Sequence, residues 1–331
     1  MLFRSGSFLP GGGHENYEAL DLWARLLACS AGGLLMAALY RALPAHAREV
    51  GVVHLMERLA YHQGHLPLAN AVAQFAGAVV AIASGQSVGR EGPGVHLGAA
   101  TGSQLARAVR LPNNAVRTLV SCGVAASIGA SFNTPLAGVI FAMEVVVMEY
   151  TIGGFIPVLL SAVSGTTVAR MVYGDAPAFS VPPLALDSLW ELPLVLVLGA
   201  AIGVAAAAFI RLLLTTQRHT ASWPGVLRLS GAGVLCGVVA LGVPQIMGIG
   251  YDTVTAALLG DTAVGILLVV GAAKLAVTAV TIGAGVPGGL IGPTLVIGTC
   301  LGGALAAGLA LVAPGLISSP GLYAMLGMGA M

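Results

Sequence analysis

Long apolar runs, separated by short polar or glycine- and proline-rich breaks, make up most of this chain. Leu22 to Leu43 is interrupted only by Arg25 and Arg41 near its ends. A run of about 20 apolar residues can span a bilayer as a helix. Ala45 to His65 differs. Arg48, Glu49, His54, Glu57, Arg58 and His62 alternate there with Val52, Val53, Leu55, Met56 and Leu59, which predicts a short amphipathic helix too polar to span. Leu66 to Ala83 can span, whereas Pro93 to Val109 is shorter and need not cross fully. Asn114 to Ile128 and Pro135 to Met148 flank a turn at Ala130-Ser131-Phe132-Asn133-Thr134, and Phe155 to Val172 follows.

Residues 174–190 are rich in Gly, Pro, Asp and Ser and mark a midpoint. Leu192 to Leu214, Leu229 to Leu241, Ala263 to Ile282, Pro293 to Val312 and Pro320 to Met331 complete the apolar set. Arg211, Arg218, His219 and Arg228 predict a basic loop, cytoplasmic by the positive-inside tendency. Several runs are short and begin with proline, so the helices are expected to be tilted, broken and packed through small residues. The division is a polar loop over 1–21, a first membrane unit over 22–175, a linker over 176–190 and a second unit over 191–331.

Composition fixes the class. The 331 residues are 57% hydrophobic and 8% charged, against roughly 25% charged in soluble domains. So few charges cannot cover a soluble surface, and the chain reads as an all-α polytopic membrane protein. Its net charge of +1 leaves no basic tract for nucleic acid. Cys29, Cys122, Cys236 and Cys300 fall in apolar segments without close pairing and read as buried small side chains. His54, His62 and His65 lack metal-ligand spacing and read as a solvated face. No metal or other cofactor is called for. The single lysine, Lys274, lies in an apolar run, where it would pair with a carboxylate or reach to an interface.

A shift of 200 residues lays the chain over itself. Gly85, Gly89, Gly92, Pro93, Gly98 and Gly102 fall on Gly285, Gly289, Gly292, Pro293, Gly298 and Gly302. Paired Gly/Pro-interrupted segments in two halves mark the substrate site of many transporters, where half-helix N-termini point at anionic groups. Leu119 to Ala126 also resembles Tyr323 to Ala330. The first copy continues into a further helix, whereas the second stops at Met331 inside an apolar run, so the end of the second repeat is expected to be missing.

The candidate chemistry lies in the breaks. Gly89-Arg90-Glu91-Gly92-Pro93 sets a carboxylate and a guanidinium among glycines in apolar sequence. Ionisable groups at membrane depth are costly and mark pathways or compensated partners. Pro93 suits the first turn of a new helix, which puts Glu91 at a helix N-terminus that attracts negative charge. Gly289-Leu290-Ile291-Gly292-Pro293 offers only backbone.

These residues resemble the central motifs of the CLC chloride channels and proton/chloride exchangers. Ser131-Phe132-Asn133-Thr134-Pro135-Leu136-Ala137-Gly138, with Phe141 and Glu144, resembles the helix that follows the first motif in that family. The resemblance runs from about Leu22 to Met331. It implies inverted-topology repeats, a homodimer in the cell membrane with one pathway per subunit, and chloride or a similar small anion as cargo. It makes Glu91 the gating carboxylate. Gly89, Arg90, Gly92, Pro93, Gly289, Leu290, Ile291, Gly292 and Pro293 become the anion-binding set, joined by Val50 and Gly51 at the family's other filter position.

Departures shape the functional expectation. Val50 stands where the family has a serine, and Ile291 where a phenylalanine is usual. Val145 replaces the second glutamate that often passes protons inward, which leaves Glu144 beside it as a weaker candidate for a proton route. A tyrosine that usually contributes to the site lies beyond Met331. The loss of the inner acceptor favours passive conduction, with proton-coupled chloride antiport as the alternative. An intramembrane hydrolase is disfavoured. Gly129-Ala130-Ser131-Phe132-Asn133 lacks the final glycine of a nucleophile turn, and no histidine occurs between His96 and His219.

Overall fold

The computed structural model describes residues 17–331 apart from 45, 46, 49, 50, 149, 180, 182–185, 187, 261 and 313–316. Among the described residues the regular structure is helical. The α-helices in chain order are α1 (Leu22–Ala42), α2 (Val52–Tyr61), α3 (Leu68–Ala83), α4 (Glu91–Ala108), α5 (Asn113–Phe132), α6 (Pro135–Phe141), α7 (Ile152–Tyr173), α8 (Leu192–Thr220), α9 (Gly225–Gly242), α10 (Tyr251–Leu259), α11 (Val264–Gly283), α12 (Ile291–Val312) and α13 (Pro320–Ala330). Seven are long and apolar enough to cross a bilayer: α1, α5, α7, α8 with its leading 3-10 turn, α9, α11 and α12. Large apolar side chains face outward on them, such as Trp23, Leu27 and Leu34 on α1 and Leu196 and Val204 on α8. Hydrocarbon around the protein makes that arrangement favourable, and the chain is a multi-pass membrane protein.

Several boundaries depart from the pattern. The run from Pro135 is α-helical to Phe141 and continues as a π-helix over Ala142–Val147. α8 runs to Thr220, so Arg211, Arg218 and His219 lie on the helix and Arg228 lies on α9. The expected basic loop is instead a cationic helix end, where C-terminal carbonyls favour positive charge. α10 was not marked by hydropathy at all, because nine residues are too few for a span.

Glycines set the helix spacing, and they do so twice. α4 lies on α5 with Gly98 against the Gly123 carbonyl and Gly102 against that of Leu119; α12 lies on α13 with Gly298 against Gly327 and Gly302 against Tyr323. A Cβ at any of these four α4 and α12 positions would strike backbone. Lipid gives helices little hydrophobic reason to associate, so backbone approach at small residues supplies the contact. α1 and α9 cross the same way. A Cβ on Gly33 would lie 3.1 Å from the Gly233 Cα, and one on Gly233 would lie 2.9 Å from the Gly33 Cα. These two positions again differ by 200 residues.

Buried charges are compensated rather than exposed. Lys274 is fully buried and donates to the Ile246 carbonyl at 2.9 Å and the Gly248 carbonyl at 2.7 Å. Fully buried, it does not reach to an interface; it fixes the loop leading into α10. Glu191, before α8, accepts from the Ser318 backbone N–H, the Ser318 hydroxyl and the Tyr323 hydroxyl. Groups this deep must be hydrogen-bonded, because an unpaired one costs several kcal/mol, of order 2–7. The four cysteines are buried thiols, Cys29 and Cys236 facing each other with sulfurs 3.9 Å apart.

Candidate functional site

Two helix ends deliver the chain to the site. α3 and α11 each finish on a glycine in the left-handed region, Gly85 at φ 78° and Gly285 at φ 90°. The following amides, Gln86 and Val286, reach back to the Ala81 and Thr281 carbonyls at 2.9 and 3.2 Å. This closing motif satisfies last-turn carbonyls and needs a residue without a Cβ at the turn. Each segment then runs without helix to its break, the first bending at Ser87, where the Val88 N–H donates to the Gln86 carbonyl at 2.8 Å.

The two breaks meet. The Gly89 N–H donates to the Gly289 carbonyl at 2.8 Å, and the Gly289 N–H donates to the Gly89 carbonyl at 2.6 Å. The pair is antiparallel, which is the geometry a two-fold axis through inverted repeats requires. α4 begins at Glu91 and α12 at Ile291, so both N-termini open beside this bridge. Close approach is obligatory here. A Cβ on Gly92 would lie 2.9 Å from the Gly288 carbonyl oxygen and 3.0 Å from the Gly289 Cα.

Glu91 fills the space between them. Its side chain is 0% exposed. One carboxylate oxygen accepts from the Tyr251 hydroxyl at 2.8 Å. The other accepts from the Gly292 N–H, in the first turn of α12, at 3.3 Å. The carboxylate thus sits at the N-terminus of the partner repeat's helix, where unpaired N–H groups and the dipole attract negative charge.

The other expected residues divide. Gly89, Gly92, Pro93, Gly289, Gly292 and Pro293 are buried around the carboxylate. Arg90 is exposed; it donates to the Ser131 carbonyl at 3.2 Å and stands 5.6 Å from the Tyr251 ring centroid. Leu290 is exposed, and Ile291 packs against the core of the first half. Gly51 precedes α2, but its N–H donates to the Gln74 amide oxygen at 3.1 Å rather than standing open to an ion. Val50 and Glu49 lie outside the described residues. Glu144 is exposed on the π-helical segment.

Three polar contributions were not anticipated. Tyr251 opens α10 after Gly248-Ile249-Gly250, a glycine break that hydropathy alone leaves unassigned. Gln74 is a fully buried amide inside an apolar run. His54 is buried, not solvated: its Nδ1 lies 3.1 Å from the His96 Nε2, with the rings stacked. The amphipathic pattern located a polar face on α2, of which Glu57 is exposed while His54 turns onto α4. His62 is exposed, as expected of a solvated position.

Comparison with known proteins agrees with this architecture. Residues 32–331 match the Voltage gated chloride channel family. A Ralstonia nicotianae protein, named for its likeness to the chloride channel protein ClcB, is 34% identical over 95% of this chain and 75% of its own length. The H(+)/Cl(-) exchange transporter ClcA of Salmonella agona is 32% identical over 78% of this chain. The chain spans 56% of that transporter's length. The fold resembles that of a slow cyanobacterial Cl-/H+ antiporter, with a TM-score of 0.81, 22% identity and coverage of 94% of this chain and 74% of the other. It also resembles a CLC-type fluoride/proton antiporter, with a TM-score of 0.69, 23% identity and coverage of 93% and 83%. The expectation of passive conduction is corrected by the relatives named H(+)/Cl(-) exchange transporters. A valine at position 145 is too slight a ground for favouring passive conduction, because one missing acceptor does not remove other groups or water from a proton route. With the fold, the bridged breaks and the family match over residues 32–331 in agreement, the chain belongs to the voltage gated chloride channel (CLC) family.

Proposed function

We propose that this chain forms a proton-coupled chloride antiport pathway in which Glu91 is both gate and proton carrier. The observation that carries this reading is the Glu91 carboxylate held between the Gly292 N–H and the Tyr251 hydroxyl. Ionised, the carboxylate is a tethered anion at a site suited to anions. Protonated, it loses the charge that holds it at the α12 N-terminus, swings away and leaves the place to chloride. One group then serves proton and anion in alternation, which ties the two fluxes in opposite directions. The breaks around Gly89–Pro93 and Gly289–Pro293 supply the remaining backbone of the site. Residues 22–175 and 191–331 act as the two repeats, and the working unit is a homodimer in lipid with one pathway per subunit.

Glu91→Gln tests the reading. A neutral amide keeps the shape but turns two bonds to a charge, worth about 1.5–3 kcal/mol each, into neutral ones worth about 0.5–1.5. The gate should loosen by about 2–3 kcal/mol, or about thirty- to hundredfold. In proteoliposomes the variant should pass chloride without proton movement and with a flattened pH dependence. Chloride uptake still driven by a proton gradient in Glu91→Gln would overturn the proposal.

A further inference from the structure

We infer that the Tyr251 hydroxyl is a ligand of the transported anion itself, beyond its hold on the closed gate. The inference rests on the gate reading above, because the Glu91 carboxylate oxygens stand in for the anion.

Each of those oxygens has one donor from the second half of the chain. The Gly292 N–H serves one and the Tyr251 hydroxyl the other, at 3.3 and 2.8 Å. An anion that replaces the carboxylate arrives at the same two donors. The hydroxyl contact is the shorter, and hydrogen bonds to a negative charge are about twice as strong as neutral ones.

The rest of the structure holds the phenol in this place. Gly250, at φ 89°, turns the chain immediately before α10, and Lys274 fixes the Ile246 and Gly248 carbonyls just upstream. Phe179 meets the Tyr251 ring edge-on with centroids 4.8 Å apart. The Arg90 guanidinium stands 5.6 Å from the ring centroid. A cation over an aromatic face is attracted by the ring and draws electron density from it, which makes the phenolic O–H a better donor to an anion. Arg90 therefore acts on the site through Tyr251 rather than by touching the ion. The ligand class is a small monovalent anion that accepts hydrogen bonds, with chloride as the probe.

The experiment compares chloride affinity, by titration calorimetry on detergent-solubilised protein, in Glu91→Gln and in Glu91→Gln/Tyr251→Phe. Phenylalanine keeps the ring against Phe179 and Arg90 and removes only the oxygen. The double variant should bind chloride at least about tenfold more weakly than Glu91→Gln, from the loss of one bond to a charge. With Glu91 intact, Tyr251→Phe weakens gate and anion together, so the affinity should move less. A complementary variant carries 3-fluorotyrosine at position 251 in the Glu91→Gln protein. The more acidic phenol should tighten chloride binding at mildly acid pH, an outcome that misfolding cannot imitate. Equal affinity of Glu91→Gln with and without Tyr251→Phe, or no tightening on fluorination, overturns the inference. Failure of the underlying gate reading shows separately, as proton-driven chloride uptake that survives Glu91→Gln.

Discussion

Replacing Gly292 with alanine should separate anion binding from folding. Gly292 lies in the first turn of α12, and its φ is not positive, so the backbone accepts a side chain there. Alanine even favours the helix over glycine by up to about 1 kcal/mol. The added Cβ would lie 2.5 Å from the Ile249 Cγ2 and 3.4 Å from both Glu91 carboxylate oxygens. Ile249 must give way, and forcing one methyl into a packed site costs about 1–3 kcal/mol. The net loss of stability is then about 0–2 kcal/mol. The effect on the ion is more selective. A chloride ion is wider than a carboxylate oxygen, and the methyl stands beside the place it must occupy. It can enter only by moving off the Gly292 N–H. Losing one hydrogen bond to a charge costs about 1.5–3 kcal/mol, which is about ten- to hundredfold in affinity. Chloride titration in detergent, with thermal unfolding of the same samples, reads both quantities. The expected result is a chloride affinity at least tenfold lower and an unfolding midpoint lowered by only about a few degrees. Wild-type affinity in a folded Gly292→Ala protein would refute the assignment of the α12 N-terminus as the anion's seat.

Two further predictions concern the frame around the site. Gly33→Ala and Gly233→Ala would bring their Cβ atoms to 2.7 Å from the Leu229 carbonyl oxygen and 2.5 Å from that of Cys29, costing about 1–3 kcal/mol each. The double variant should cost less than the sum, because helices parted by the first methyl have room for the second; additive losses of unfolding free energy in detergent would contradict a shared crossing. Lys274→Met should destabilise by about 2–5 kcal/mol, since it strips a charged donor from two buried carbonyls. Chloride affinity should fall with it as Tyr251 loses its fixed loop, and a variant as stable as wild type would show that those bonds contribute little.

Much of the site was legible because some requirements act at single positions. A left-handed turn favours glycine over residues with a side chain, and a helix opening tolerates proline. The 200-residue register of glycines and prolines therefore announced the two breaks, and it matches the Gly89–Gly289 bridge. Glu91 stood out for the same kind of reason, as an ionisable group in a glycine-rich break between apolar runs. His54 shows where such reasoning stops. Periodicity located a polar face on α2, yet only packing could turn one member of it, His54, onto His96. Gly51 is similar: its position suggested an open amide, and Gln74 on α3 already occupies it.

By itself, then, the sequence determined the membrane class, the doubled architecture and the place of the acid, because apolar length, backbone freedom and missing N–H groups are local properties. The tertiary structure decided which donors hold that acid and where the buried charges find partners. Tyr251 meets Glu91 across 160 residues of chain, and Lys274 reaches carbonyls 26 and 28 residues upstream. Meetings of that kind depend on the path of everything between them, which no local pattern encodes.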